Sequence, residues 1–528
     1  EECGKLDYSS SAKKISEICT RTQSILSSVP EAGNRFPVYL ISDFQKHIVD
    51  FNALPSFSKL ELSFVKLQPN LQQNLSIDSV WFETPFRRSG QAENLLVRVK
   101  NHGNNVYTDV PVRLTINDSL KSVSTVSLEE NQTAVLSMGF TNAKAGVQKA
   151  KVDLDDYPMS FDNNFYASWK LKETQKVLVV EGNKGKPFPK DLYADYSELQ
   201  VNYQTIDALD LSVLSDYDVL IINAVAKFSQ GLQLQISDFL KEGGVLWLIP
   251  DEKADVVSWN NFLGLLSAPK LGKWITEDRE LLKIADEHYF FKSAFLKNRN
   301  KVKLPVIKSS WQLRSSLNDN SENLIEYRDG SGFLILVENE NSFVYLLSSP
   351  INKANGDFYR HPLLIPVAWN LALNIPDESP LYFPCGESGS VEIKNITFER
   401  EADVEIRSKE ESFIPTWKFT GKKSAQVYIP EILDKAGFYD IFQGDNFLSA
   451  FALNSESKES DLSYFTQKEI ESGISEFGLN ANILASESKE FKRTLIDNEL
   501  GEKLTFWFIL LALVFLLMEI LIIRLIKD

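Results

Sequence analysis

Three cysteines and four histidines make up all the thiol and imidazole chemistry of this 528-residue chain. The cysteines are Cys3, Cys19 and Cys385, and the histidines are His47, His102, His288 and His361. No CxxC pair and no Cys/His cluster occurs, so the ligand spacing of a structural zinc site is missing. Cys3 and Cys19 admit two readings: a disulfide in an oxidising compartment, or two small buried hydrophobes. The scattered histidines leave little material for acid–base or metal chemistry. No GxGxxG or Walker pattern follows an apolar run, so a nucleotide site has no support. One acid stands out, Glu519, which interrupts the apolar run Leu504 to Ile523.

That run, LTFWFILLALVFLLMEILII, is long enough to cross about 30 Å of hydrocarbon as a helix. Trp507 lies near one end, as an interfacial aromatic would, and Arg524 and Lys527 follow at the other, able to snorkel to headgroups. An acid inside a span is costly and marks a functional position by default. Glu519 either pairs with Arg524 at the interface or makes a polar contact with a partner helix. Charge does not fix the orientation. Lys489, Lys492, Arg493 and Lys503 precede the span and outnumber the two cations after it.

Length and composition bound the rest. At roughly 100–200 residues per domain, about three to five domains are expected. A net charge of −16 and the lack of a dense Lys/Arg stripe argue against a nucleic-acid partner. The chain opens at Glu1 with neither Met nor a leader, and the partial first unit described next predicts a missing upstream part.

Residues 1–72 read as helix, then the apolar strands FPVYLISDFQ (36–45) and LELSFVKL (60–67), an α/β pattern. Residues 73–173 alternate apolar and polar in short runs such as NLLVRVKN (94–101) and PVRLTIN (111–117), the signature of an antiparallel sandwich. Residues 174–378 return to α/β. KVLVVEG (176–182), YDVLIINAV (217–225) and GGVLWLIP (243–250) are buried strands, with an amphipathic helix between the last two, which predicts a right-handed parallel crossover. FLILVEN (333–339) and SFVYLLSSP (342–350) suit antiparallel edge strands. Residues 379–454 form a second small sandwich, 455–502 a linker with short helices, and 503–526 the transmembrane helix. The fold class is therefore multidomain α/β plus all-β with a C-terminal anchor.

Several of these runs resemble known families. VYLISD resembles a strand of von Willebrand factor A (vWA) domains, in which an aspartate at the position of Asp43 contributes to a metal-adhesion site. The other metal loops of that family have no match here, so Mg²⁺ or Ca²⁺ is implied only if residues absent from this chain complete the site, and Asp43 is otherwise a strand-end cap. ENLLVRVKNHGNNVYTDVPVRLTIN with AGVQKAKVDLDDYPMSFDNNFYASWKL resembles a CARDB-type immunoglobulin-like module. The order of elements in 174–378 resembles class I glutamine-amidotransferase-like domains. The nucleophile turn of that family reads Pro250-Asp251-Glu252-Lys253 here, with no Cys, Ser or Thr, so the resemblance implies a degenerate, non-catalytic copy. His361, in YRHPLLIPVAWNLAL (359–373), reads as a structural histidine at a helix start rather than a base.

Together these units and the closing helix resemble BatA-type, aerotolerance-related membrane proteins of Bacteroidota. That resemblance implies two transmembrane helices upstream, an inner-membrane anchor in a Gram-negative envelope, a periplasmic body, and partners among Bat-family proteins and a MoxR-type ATPase. Asp-Ser-Val at 78–80 and Asp-Ser-Leu at 118–120 match the short O-glycosylation sequon of that phylum, which singles out Ser79 and Ser119. The expected function is a non-catalytic envelope scaffold. The alternatives are an adhesin binding metal or glycan through the vWA and CARDB parts, and an amidotransferase-like or ThuA-like enzyme in 174–378.

Overall fold

The computed structural model describes residues 13–27, 36–57, 60–67, 73–84, 86–142, 144–157, 159–182, 187–194, 196, 198–292, 303–315, 319–339, 342–375, 379–394, 403–409, 411–420, 424–455, 460–479, 481–485 and 505–526. Cys3, the flanking cations Lys489, Lys492, Arg493, Lys503 and Lys527, and the second half of the run at 390–398 lie outside these residues.

Helix Ile15–Ser27 buries Ile15 and Cys19. The Ser16 N–H donates to Asp50 Oδ1 at 3.1 Å, which satisfies one of the orphan donors at the helix start. Strands Phe36–Ser42 and Leu60–Lys66 pair in parallel, with Phe36 opposite Leu60. The third strand of this sheet is Ala481–Ala485, parallel to Leu60–Lys66 with Leu62 opposite Ala481. Helix Gln467–Glu476 also packs here, placing Ile470 against the core of Cys19, Leu40, Phe44 and Phe64. The stretch expected as a linker thus carries part of the first unit. Two local signals explain this. Thr466 and Glu469 form a reciprocal capping box that starts the helix, and the apolar run 481–485 covers a parallel edge that would otherwise expose unpaired backbone groups.

Between these two halves of one unit the chain builds the others. Strands Leu75–Phe82, Ala92–Asn101 and Thr133–Thr141 form one antiparallel sheet. Ser119–Leu128, Tyr107–Ile116, Gly146–Leu154 and Asn164–Leu171 form the facing sheet in that order. Alternate residues point inward, Leu95, Val97 and Val99 among them, as a two-residue period demands. Asn117 and Asp118 both take positive φ, 47° and 60°, and so make the tight hairpin turn whose twist matches its strands.

The α/β unit holds a nine-stranded sheet. Its first five strands, Leu199–Thr205, Gln175–Glu181, Val219–Asn223, Val245–Ile249 and Ser342–Leu347, are all parallel. Helix Gln230–Lys241 makes the expected crossover between Val219–Asn223 and Val245–Ile249. Helices Gln230–Lys241 and Val256–Leu265 cover one face, through Leu220, Ile222, Leu246 and Leu248. Helix Leu364–Leu373 covers the other, through Val179, Ile221, Trp247 and Tyr345. The expectation of edge strands at 333–350 is corrected. Gly332–Asn339 and Ser342–Leu347 are antiparallel to each other but central, and every residue of Ser342–Leu347 is buried. Their continuous apolar character is what burial on both faces requires.

A second sandwich follows. Its five-stranded sheet is led by Gly437–Gln443 and Asn446–Asn454, and its three-stranded sheet is centred on Ser424–Ile429. Cys385, Val404, Ile406, Val427 and Phe451 fill the space between. The C-terminal helix, Thr505–Ile526, stands apart from the body. Its apolar stretch Phe506–Arg524 is 0% buried and has a mean hydropathy of 2.9.

Candidate functional site

In a doubly wound sheet, ligands sit where the strand order reverses, beyond the carboxyl ends of the strands. Here that point lies between Gln175–Glu181 and Val219–Asn223. Backbone fills it: a Cβ placed on Gly182 would come within 2.3 Å of Val225 Cα. The Gly182 N–H donates to the Asn223 carbonyl at 2.9 Å, and the Glu181 carboxylate accepts from the Phe188 N–H at 3.0 Å. The next turn carries Asp251, which is buried. Its Oδ1 accepts from the Glu252 N–H at 2.8 Å and its carbonyl accepts from Trp311 Nε1 at 2.9 Å, so this turn is built as a structural corner.

The histidines are dispersed over three units and engaged where they stand. His102 Nε2 lies 2.8 Å from Ser76 Oγ, and burial lowers its pKa to about 4, so it is neutral near pH 7. His288 Nδ1 accepts from the Phe290 N–H at 3.1 Å, and its ring stacks on Tyr289. Burial pulls its pKa down against the opposing pull of Glu322, 3.7 Å away. His361 Nδ1 accepts from the Leu363 N–H at 3.1 Å while Nε2 faces the Lys303 carbonyl at 2.9 Å. With both ring nitrogens engaged, it serves as the structural anchor expected of it. Cys19 is fully buried, and desolvation, aided by Asp50, pushes its thiol up to about 11, away from nucleophilic character. Cys385 lies in the core of the second sandwich.

Asp43 sits just past its strand. Its Oδ1 accepts from Ser42 Oγ at 3.2 Å, and Ser42 Oγ accepts from the Phe44 N–H at 3.0 Å, in a turn where Phe44 takes a φ of 57°. Among the described residues, no group of three or more His, Cys, Asp or Glu is placed to hold a metal. Ser79 is half-buried in its strand and donates to Asp78 Oδ2 at 3.1 Å, whereas Ser119 is exposed beside the Asn117–Asp118 turn.

Trp507, Glu519 and Arg524 all lie exposed along the C-terminal helix. Glu519 and Arg524 are five residues apart. At 3.6 residues per turn that offset rotates them about 140° around the helix, so they occupy different faces rather than a pairing position. The face of Glu519 is otherwise apolar. The site residues read from the sequence are therefore not gathered in one place. Sequence reading missed the closure of the first unit by 467–485, although the Thr466-x-x-Glu469 cap before an apolar run was visible.

No family model matches the chain. No curated protein matches it either. Several solved structures are similar to parts of it. A CARDB domain from Pyrococcus furiosus, solved with di-metal ions, shares 19% identity over 20% of this chain and 97% of that one, with a TM-score of 0.18. A cytoplasmic protein from Salmonella typhimurium shares 16% over 38% of this chain and all of that one, with a TM-score of 0.31. A ThuA-like protein from Bacteroides uniformis shares 14% over 41% of this chain and 94% of that one, with a TM-score of 0.27. Likenesses this low assign neither activity nor partner. Among the described residues the architecture is β-rich and multidomain, with one apolar helix, Thr505–Ile526, long enough to cross a membrane.

Proposed function

We propose that this chain is a membrane-anchored, non-catalytic scaffold whose body presents surfaces to partner proteins. The observation behind this reading is the C-terminal helix. The 19 residues Phe506–Arg524 carry only two charges, Glu519 and Arg524, and are entirely unburied by the rest of the described chain. Left in water such a helix would expose a large apolar surface, and a bilayer removes that cost. The dispersal of the histidines and buried cysteines supports the non-catalytic part.

The finer reading rests on the family resemblance. It treats 1–72 as vWA-like and 174–378 as a degenerate amidotransferase-like unit. It places the helix in the inner membrane of a Gram-negative envelope, the body in the periplasm, and the partners among Bat-family proteins and a MoxR-type ATPase. Glu519, on a face of its own, is suited to a polar contact with a partner helix.

Two measurements on the tagged full-length protein test this. Alkaline carbonate should leave it in the membrane pellet. A mild-detergent pull-down should recover stoichiometric envelope proteins, fewer of them with Glu519→Leu than with Arg524→Leu. Release by carbonate overturns the anchor, and a clean monomer overturns the scaffold.

A further inference from the structure

The first sandwich touches both the second sandwich and the α/β unit, and these two interfaces are built differently. Towards the second sandwich the contacts are dense and run along the strands. Asn454 Oδ1 accepts from the Tyr166 N–H at 2.7 Å while its Nδ2 donates to the Tyr166 carbonyl at 2.8 Å, so one side chain replaces a strand partner. The Ser168 N–H donates to the Leu381 carbonyl at 2.8 Å, Phe165 packs edge-on against Tyr382 at 4.7 Å, and Lys149 Nζ lies 2.6 Å from Asp440.

Towards the α/β unit the same sandwich is held by Lys172 Nζ, 2.6 Å from Asp218 Oδ1 where the chain passes between the units, by Phe86 against Tyr289 at 5.8 Å, and by Arg88. The arginine is 8% exposed. Its Nη2 donates to Asn370 Oδ1 at 3.1 Å and to Asn374 Oδ1, at the carboxyl end of helix Leu364–Leu373, where a cation suits the helix dipole. The guanidinium also lies over the rings of Phe86 and Trp369, at 5.5 and 5.4 Å. Around it the polar groups are only half satisfied. Arg88 Nε and Nη1, Asn374 Nδ2, Trp369 Nε1, Tyr345 OH and Glu93 Oε2 are buried with no hydrogen-bond partner among the described residues. A partly satisfied buried network is weak relative to the desolvation it demands. Burial accordingly lowers the Arg88 pKa to about 10 despite nearby Glu93. Between the α/β unit and the second sandwich, Lys394 Nζ donates to the Glu242 carbonyl at 2.9 Å.

We propose that Arg88 is a releasable latch. The two sandwiches move as one rigid arm, and the α/β unit swings away from that arm when the guanidinium leaves Asn370 and Asn374. This does not depend on the scaffold reading, because it concerns only how the body moves.

Pulsed dipolar spectroscopy on the full chain in detergent micelles, in a Cys3→Ser background, tests it. One nitroxide pair, at Lys121→Cys and Lys227→Cys, spans the latch. The other, at Lys121→Cys and Glu431→Cys, spans the two sandwiches. Arg88→Met should broaden and lengthen the first distance distribution and leave the second narrow. Asn374→Ala, which removes one of the two acceptors and keeps the arginine, should shift the first distribution in the same direction, and it carries the test if Arg88→Met fails to fold. A first distribution unchanged in the folded variants, or both distributions broadening together, overturns the proposal.

Discussion

Lys46 Nζ lies 3.2 Å from Glu469 Oε1, although 423 residues separate them in the chain. Both side chains are substantially exposed, so the pair itself contributes little. Its meaning is positional, for it marks where the returning chain closes the first unit.

The closing helix holds through Ile470, which is fully buried against Phe44 and Phe64. Ile470→Ala should cost about 2–5 kcal/mol locally. Hydrogen exchange should then quicken in Phe36–Ser42 and Leu60–Lys66 and stay unchanged in the α/β sheet. Unchanged exchange in both strands would show that the N-terminal half stands without its closure.

His102 supplies a pH dependence. Its folded pKa, about 4, lies below its ordinary value of 6.5, so the unfolded state binds the extra proton between these values. Stability from this group is complete above pH 6.5 and is lost as pH falls towards 4. Thermal unfolding of the first sandwich should weaken across that window, and His102→Gln should flatten the slope. An imidazole titrating near 6.5 in the folded protein would contradict this.

Asn454→Ala removes both bonds to Tyr166 and strands a partly buried N–H and carbonyl. The expected loss is about 1–3 kcal/mol, read as earlier unfolding of the two sandwiches. A double-mutant cycle with Lys149→Ala, at the same interface, should reveal coupling between them.

Gly182→Ala tests whether the crevice of the α/β sheet is closed. The added methyl would meet the Val225 backbone, which cannot swing aside as a flexible side chain would. The loss should be about 3 kcal/mol or more, seen as low yield and rapid proteolysis. A well-tolerated alanine would mean that the crevice has room, and would reopen the search for a ligand there.

Much of the fold is legible in local patterns. The alternation in Ala92–Asn101 and the unbroken apolar runs at Val219–Asn223 and Val245–Ile249 each follow from which faces are buried. Periodicity says how many faces a strand buries, not which strands flank it. That is why Ser342–Leu347 looked like an edge and proved central. The closure by 467–485 was hidden for a related reason. Its partner strand is hundreds of residues away, and pairing over such a distance leaves no local trace. The candidate site residues were legible as types, but their dispersal over separate units is a property of tertiary structure alone.

That distant closure has a consequence in time. Leu62 is translated long before Ala481, its partner across the parallel ladder. At about 5–20 residues per second the interval is roughly 20–80 s. The strand Leu60–Lys66 must wait that long with one edge bare, while the units after it are made and folded. Its partner emerges only when the ribosome is within a few dozen codons of the apolar helix. The unit that holds Leu60–Lys66 is therefore completed only after the three units built between its two halves, and until then that strand's open edge is free to pair with the wrong partner.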